Sequence, residues 1–406
     1  MVLQGEAGKK TAVIRTSDRN LFKKCRRNWM FQSHMQRNLE PKQAQMPLWF
    51  GTGIHFALED FFNPNSELPC KTAAEAFDLY VKATRIQKNQ QMPDDWQEMS
   101  ETGKAMLDYM ETSWLQTRDP LTTFVHNGIP QLEINFIVDI PFDVQAHYPH
   151  SPYDKVVYSG TIDRIIIDDY GRLWLVDYKT AKNMKTSHFA NDPQVTAYCW
   201  AASEMYPDYE IAGMIYWQFL KAHPKPPEPL KSGKISTAQN MKTSRPLYRR
   251  ALIDAYGSVE KAPAAAVQKL NDLAMLESVE QDAYIRRDKI YKNAHSLQAE
   301  GAKILSEMAD MLNPDLALYP NANFMCPHMC AFYEICVSMD DGSDWEQQLE
   351  AETQQRAKGD ESWRKSIPAA LEMIYGDPEP TYDFDNPPVD GHTAALDAND
   401  ILTGKK

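Results

Sequence analysis

No apolar run long enough to cross a bilayer, roughly 18 residues, occurs anywhere in the 406-residue chain. The start, MVLQGEAGKKTAVIRTS, lacks the charged-then-apolar pattern of a secretory leader, so a cytoplasmic location is expected. Cysteine is scarce: six in 406 residues are too few for a disulfide scaffold. A phosphate-cradling loop of the Gly-x-x-x-x-Gly-Lys-Ser/Thr type is missing, so any motor is a separate protein. Positive charge is also short. The 43 Lys+Arg stand against 56 Asp+Glu, for a formal net charge of −13, which reads poorly for a partner of nucleic acid. The deficit is local, however. Residues 337–406 hold 16 acidic and 6 basic residues, whereas residues 1–336 hold 40 and 37. The body is close to neutral and the acidity belongs to a tail.

What is present centres on residues 159–180, SGTIDRIIIDDYGRLWLVDYKT. Apolar runs at 165–167 and 173–176 flank an Asp/Gly turn, which predicts a β-hairpin centred on Tyr170. Asp163 and Asp177 are each seven residues from Tyr170. They therefore face each other across the strands, with Cβ atoms ~5 Å apart. Like charges that close need a proton or a cation between them, and Mg2+ and Mn2+ favour carboxylate oxygen. Lys179 lies two residues past Asp177 and leaves the same strand face. Two acids and a lysine on one face suit phosphodiester cleavage: a metal activates water, and an ammonium positions it or offsets developing charge. Taken alone, an Asp-x-Lys strand also occurs on plain surface hairpins.

Around the hairpin the chain divides into a helical region (1–120), a core (121–220), a basic loop (221–250), a second helical region ending in cysteines (251–336) and the acidic tail (337–406). Residues 17–31 read as one helix with Cys25 on its apolar side. His55 and Glu59 share one face of a helix over 51–61. Residues 71–117 read as two helices. Glu133 lies on an alternating strand over 131–140, a pattern that also fits an exposed polar position. Asp192-Pro193 opens a helix on which Gln194 and Tyr198 share a face, as an ordinary polar stripe would. Residues 213–220 are expected to form the last, buried strand. Residues 221–250 carry eight Lys/Arg, one acid and five prolines, an arm that contacts phosphates or is simply solvated. Helical periodicity returns over 251–312. Charge and weak periodicity predict disorder after 337, with at most a short helical stretch between Trp345 and Trp363.

Cys326, Cys330 and Cys336 fall within eleven residues, a spacing that suits zinc or an iron–sulfur cluster. Three thiolates need a fourth ligand, and His328 in the first gap can complete a zinc site. Cys199 reads as core, and Cys70 as a loop residue without a role.

In order along the chain, Gly51-Thr-Gly-Ile-His55, Glu133, Gly160-Thr-Ile-Asp163-Arg164, Asp177-Tyr178-Lys179-Thr180, Gln194-x-x-x-Tyr198 and the cysteines resemble the RecB-like branch of the PD-(D/E)xK nucleases. That branch includes the nuclease modules of RecB and AddB, CRISPR-associated RecB-like exonucleases and phage exonucleases. The likeness spans about residues 15–340. It implies an α/β restriction-endonuclease-like core with large helical additions and a C-terminal cysteine cluster. It also implies a metal-dependent DNA exonuclease acting on single-stranded DNA or DNA ends in recombination, repair or replication. His55, Asp163, Asp177 and the Tyr178 carbonyl would hold Mg2+ or Mn2+. Asp163, Asp177 and Lys179 would be catalytic, and Arg164, Gln194 and Tyr198 would contact DNA. Cys25 would join Cys326, Cys330 and Cys336 around a 4Fe–4S cluster that staples the two ends of the fold. The first gap is one residue longer here than is usual in the family, which keeps Zn2+ as the alternative. A helicase or recombinase partner, in a bacterial or phage-infected cell, belongs to the same expectation. Competing readings are an endonuclease, or a fold kept only for binding DNA ends; the intact acid–acid–lysine set speaks against the second.

Overall fold

The computed structural model describes residues 3–4, 10–42, 49–89, 92–184, 192–277, 279–356 and 362–375. Its main strands are β1 (Lys10–Arg15), β2 (Leu39–Pro41), β3 (Leu132–Asp139), β4 (Lys155–Ile167), β5 (Leu173–Ala181), β6 (Ile211–Leu220), β7 (Ile285–Tyr291) and β8 (Thr353–Gln355). β2 and β8 pair with each other. The rest, with a two-residue edge piece at Leu3–Gln4, form one mixed seven-stranded sheet.

β4 is the hub. β3 lies antiparallel along one of its edges, from Asp139↔Val157 to Leu132↔Arg164. The other edge is shared by two strands. β1 runs parallel from Thr11↔Lys155 to Arg15↔Ser159, and β5 runs antiparallel from Arg164↔Val176 to Ile167↔Leu173. Among the described residues, 160–163 have no strand partner on that edge, so the sheet forks there. The β4–β5 hairpin is centred on Tyr170, as its sequence predicts. The Asp168 carboxylate accepts from the Tyr170 and Arg172 amides (3.0 and 2.9 Å), and Gly171 takes φ +75°. β5 runs parallel to β6 on its far side, and all ten residues of β6 are buried, which is why both read as nearly continuous apolar runs.

The principal helices are α1 (Thr16–Lys24), α2 (Arg26–Gln32), α3 (Trp49–Phe62), α4 (Ala73–Gln87), α5 (Trp96–Tyr109), α6 (Pro193–Met205), α7 (Arg245–Tyr256), α8 (Ala264–Glu277), α9 (Ala294–Leu312), α10 (Tyr333–Asp341), α11 (Trp345–Glu352) and α12 (Ile367–Tyr375). α3, α4, α5 and α12 share one core with Ile166, Trp174, Val176 and Tyr178 of the hairpin. α6 and α9 share a second with Ile165, Leu173 and Leu175. Alternate hairpin residues thus point to opposite layers, as strand geometry requires. α1 is pinned to α9 by the buried Arg19, whose guanidinium meets Glu300 (2.9 Å) and Glu307 (2.6 Å). α7 and α8, inserted between β6 and β7, have a small core of their own around Tyr248, Leu252 and Leu270. No helix among the described residues is long and apolar enough to cross a membrane.

The structure departs from the sequence reading in four places. The single helix expected over 17–31 breaks at Cys25, which is extended (φ −167°, ψ 115°) between α1 and α2. β6 is not the last strand, because β7 pairs with it inside a stretch expected to be helical. The basic stretch is irregular only to Ser244, after which α7 begins. The acidic region contains ordered elements from α10 to α12. In α12, Ile367, Ala370, Leu371 and Ile374 recur at helical spacing and pack into the α3–α4 core. Residues 376–406 of the expected disordered tail lie outside the described residues.

Gly160, at the fork, is where β4 meets its neighbours most closely. A Cβ there would lie 2.8 Å from the Phe136 ring and 3.0 Å from the Tyr198 hydroxyl. Gly160→Ala is therefore expected to destabilise the fold by about 1–3 kcal/mol through overpacking, read as a lower urea midpoint. Phe136→Leu in the same chain should recover part of the loss. An unchanged midpoint for Gly160→Ala would contradict the close packing at this position.

Candidate active site

The fork collects the chemistry. Carrying the β4–β5 register one step past Arg164↔Val176 places Asp163 opposite Asp177. Asp163 Oδ2 accepts the Tyr178 amide proton at 2.7 Å. β3 contributes Glu133: its register with β4, Leu132↔Arg164 and Ile134↔Ile162, leaves Glu133 opposite Asp163. Glu133 itself sits at φ +45°. A left-handed glutamate inside a strand is uncommon, and such strain persists where the surroundings over-determine it. α3 supplies His55. Its Nδ1 lies 3.3 Å from Glu133 Oε1 and 3.5 Å from Asp163 Oδ1, and its Nε2 lies 3.1 Å from the Tyr178 carbonyl oxygen. One donor atom from each of His55, Glu133 and Asp163 falls within 4.8 Å of the others.

Asp177 completes the site from the side. Lys179 Nζ lies 2.8 Å from its carboxylate, and the Gln194 side-chain amide donates to Oδ1 at 3.2 Å. Gln194 is set by the start of α6, where Asp192 accepts the Gln194 amide (2.9 Å) and the Tyr216 hydroxyl donates to Asp192 (2.7 Å). One turn along α6, Tyr198 packs edge-on against Phe136, with centroids 5.3 Å apart.

Negative charge is crowded here. Burial, with Asp163 next to it, raises the Asp177 carboxyl to about 7. Burial likewise raises Asp163. At His55 burial acts to lower the pKa, but Asp163 and then Glu133 outweigh it and push the ring up to about 9. Both ring nitrogens face oxygen atoms, which suits the raised pKa of the ring. Lys179 is also raised, Asp177 and Asp163 together exceeding the opposing effect of burial. The donor set of carboxylates, one imidazole and a main-chain carbonyl suits Mg2+ or Mn2+.

Six residues named from the sequence thus meet: His55, Asp163, Asp177, Tyr178, Lys179 and Gln194, with Tyr198 beside them. Asp177 stands outside the 4.8 Å trio, turned to Lys179, while Glu133 stands inside it. Alternation places Glu133 on a strand, and what sets it opposite Asp163 is the β3–β4 register. Arg164 is a correction. Expected on DNA, it is 1% exposed and lies 3.8 Å from the Phe62 ring centroid. Its guanidinium donates to Thr123 Oγ1 (3.0 Å) and to the carbonyls of Pro120 and Leu121. Ile166, Trp174, Val176 and Tyr178 of the hairpin face the α3 layer, and Arg164 lies with them against Phe62. Glu59 also stands apart, 3.7 Å from Arg364.

Far from these acids, Cys25, Cys326, Cys330 and Cys336 line one cavity of about 120 Å³. The amides of Asn321 and Asn323 point at Cys25 Sγ and Cys326 Sγ (3.4 Å each), and Arg27 donates to Cys336 Sγ at 3.2 Å. None of the four is in a disulfide. His328 is exposed and does not line the cavity. Around the cavity, Arg27 pairs with Asp340 (2.7 Å) and Phe31 stacks on Phe332 (5.0 Å), while β2 pairs with β8. Cys199 is fully buried in the α6 layer.

No curated protein matches the chain. The family model for the PD-(D/E)XK nuclease superfamily matches residues 16–337, a span that takes in the fork, its acids and lysine, and all four cavity cysteines. The chain belongs to the PD-(D/E)XK nuclease superfamily and is a nuclease by that membership.

Proposed function

We propose that the protein is a divalent-metal-dependent DNA exonuclease of the RecB-like branch, working on single-stranded DNA or DNA ends beside a separate helicase or recombinase. The observation that carries this reading is the convergence of His55, Glu133 and Asp163 within 4.8 Å at the fork, with Lys179 on Asp177. A bound Mg2+ or Mn2+ supplies Lewis acidity toward the phosphoryl oxygen and a water of lowered pKa. His55, Glu133 and Asp163 would hold it, with Asp177 and the Tyr178 carbonyl beside them. Lys179 orients the attacking water and offsets charge that develops at the phosphate. Gln194 holds Asp177 in place, and Tyr198 lies along the substrate side of α6. Support for an exonuclease comes from the motif order of the RecB-like branch.

What supports the cluster part of the proposal is that four cysteines line one cavity, with the amides of Asn321 and Asn323 and the Arg27 guanidinium aimed at three of their sulfurs. Such a cluster would tie the loop after α1 to the segment before α10, 301 residues on, and its bonds would add to folding free energy.

Asp163→Ala and Lys179→Ala should each slow cleavage of linear single-stranded DNA about a thousandfold or more with Mg2+ or Mn2+ present, with the circular dichroism spectrum unchanged. Near wild-type rates in both variants would sink the site assignment. A closed circular plasmid should survive the wild-type protein and disappear once linearised; discrete fragments from the circle would mean an endonuclease.

Protein purified without oxygen should be brown and carry about four irons per chain. Cys25→Ser should lose iron as Cys330→Ser does, while Cys70→Ser and Cys199→Ser keep it. One tightly held zinc and no iron, or full iron in Cys25→Ser, would overturn the four-cysteine cluster.

A further inference from the structure

Two lysines stand together just past the strand ends that carry the acids. β5 and β6 run parallel in the register Thr180↔Phe219 and Ala181↔Leu220, and the next pair in that register is Lys182 and Lys221. The Lys221 amide donates to the Ala181 carbonyl at 2.8 Å, so the pairing persists beyond the strands. Lys182 is exposed and Lys221 half-buried. The Lys221 ammonium lies 5.1 Å from the ring centroid of Phe50, in the first turn of α3. Burial first, and Lys182 next, hold that ammonium below the usual lysine range.

Adjacent like charges are unfavourable without an anion to share. Some other lysines have one: Lys23 pairs with Glu307, Lys82 with Asp78, Lys155 with Asp139 and Lys303 with Glu300. Lys182 and Lys221 have no carboxylate partner among the described residues. Their place fits a substrate. Lys182 is three residues beyond Lys179, ~10 Å along an extended chain. Phe50 precedes His55 by five residues, ~7.5 Å along the α3 axis. Ligands of open α/β sheets gather outside the carboxyl ends of parallel strands, which is where the two ammoniums stand.

We propose that Lys182 and Lys221 jointly hold a phosphate of the substrate strand adjoining the scissile phosphodiester, and so draw a polyanion toward a site walled by carboxylates. The two lysines position the strand; they take no part in bond cleavage. This rests on the nuclease reading above.

The test uses the full-length chain, a fluorescent single-stranded oligonucleotide, and the variants Lys182→Ala, Lys221→Ala, their combination, and Lys221→Arg. Binding without Mg2+ or Mn2+ is followed by anisotropy across a salt series. The double variant should flatten the slope of log affinity against log salt by about 1.4, ~0.7 for each lost contact on a single strand. In cleavage with Mg2+ its KM should rise about tenfold while kcat stays within about twofold. Lys221→Arg should keep the wild-type KM. An unchanged slope and KM in the double variant would overturn the proposal. So would a fall in kcat at saturating DNA with KM unchanged, which would place the lysines in the chemistry or the fold. Should the wild-type protein cleave nothing, the nuclease reading fails, yet the salt slope still decides whether the pair holds phosphate.

Discussion

The structure depends on one interruption in its hydrogen bonding. β4 is 13 residues long, and two strands of opposite direction share one of its edges. A parallel and an antiparallel ladder place their bonds differently, so β1 and β5 diverge where they meet on β4. Residues 160–163 are left between them, backed by β3 and capped by α6. A sheet that was continuous there would have filled the space with another backbone. The gap is what lets side chains from β3, α3 and α6 reach the same few ångströms as those of the hairpin.

The gap concentrates negative charge where water is largely excluded. Asp163, Asp177 and Glu133 crowd together with two cationic side chains, His55 and Lys179, and burial still leaves Asp163 and Asp177 raised. Any divalent cation bound among these groups would displace protons from them. The left-handed backbone at Glu133 lies in the same crowded place, where the β3–β4 register sets it opposite Asp163.

The ends of the described chain are tied by a different means. Cys25 interrupts a helix so that its sulfur faces the cavity shared with Cys326, Cys330 and Cys336. Stacked Phe31 and Phe332, the Arg27–Asp340 pair and the β2–β8 ladder surround it. α12 packs against α4, which in turn packs on α3, the helix that carries His55. Contacts distant in sequence therefore hold both flanks of the forked sheet.

Much of this was legible in the residues. The hairpin, its centre at Tyr170, the opposition of Asp163 and Asp177, and the shared face of Lys179 follow from strand periodicity and turn chemistry, which are local. The start of α6 and the helix bearing His55 follow from capping and spacing, also local. What the residues did not show is set by partners far along the chain. Arg164 has the look of a DNA contact, yet the register of β4 turns it toward Phe62 and the Leu121 carbonyl. The stripe of Ile367, Ala370, Leu371 and Ile374 is outweighed in composition by its acidic neighbours and acquires meaning only against α4. β7 forms because β6 offers it an open edge. Glu133 enters the site because β3 pairs with β4 in the register that sets it opposite Asp163, which the strand's own pattern does not encode. The sequence by itself determined the chemical groups and their local elements, because periods of two and 3.6 residues are properties of the backbone. The tertiary structure alone decided which of those groups share the fork, because burial, register and charge crowding exist only once distant segments have met.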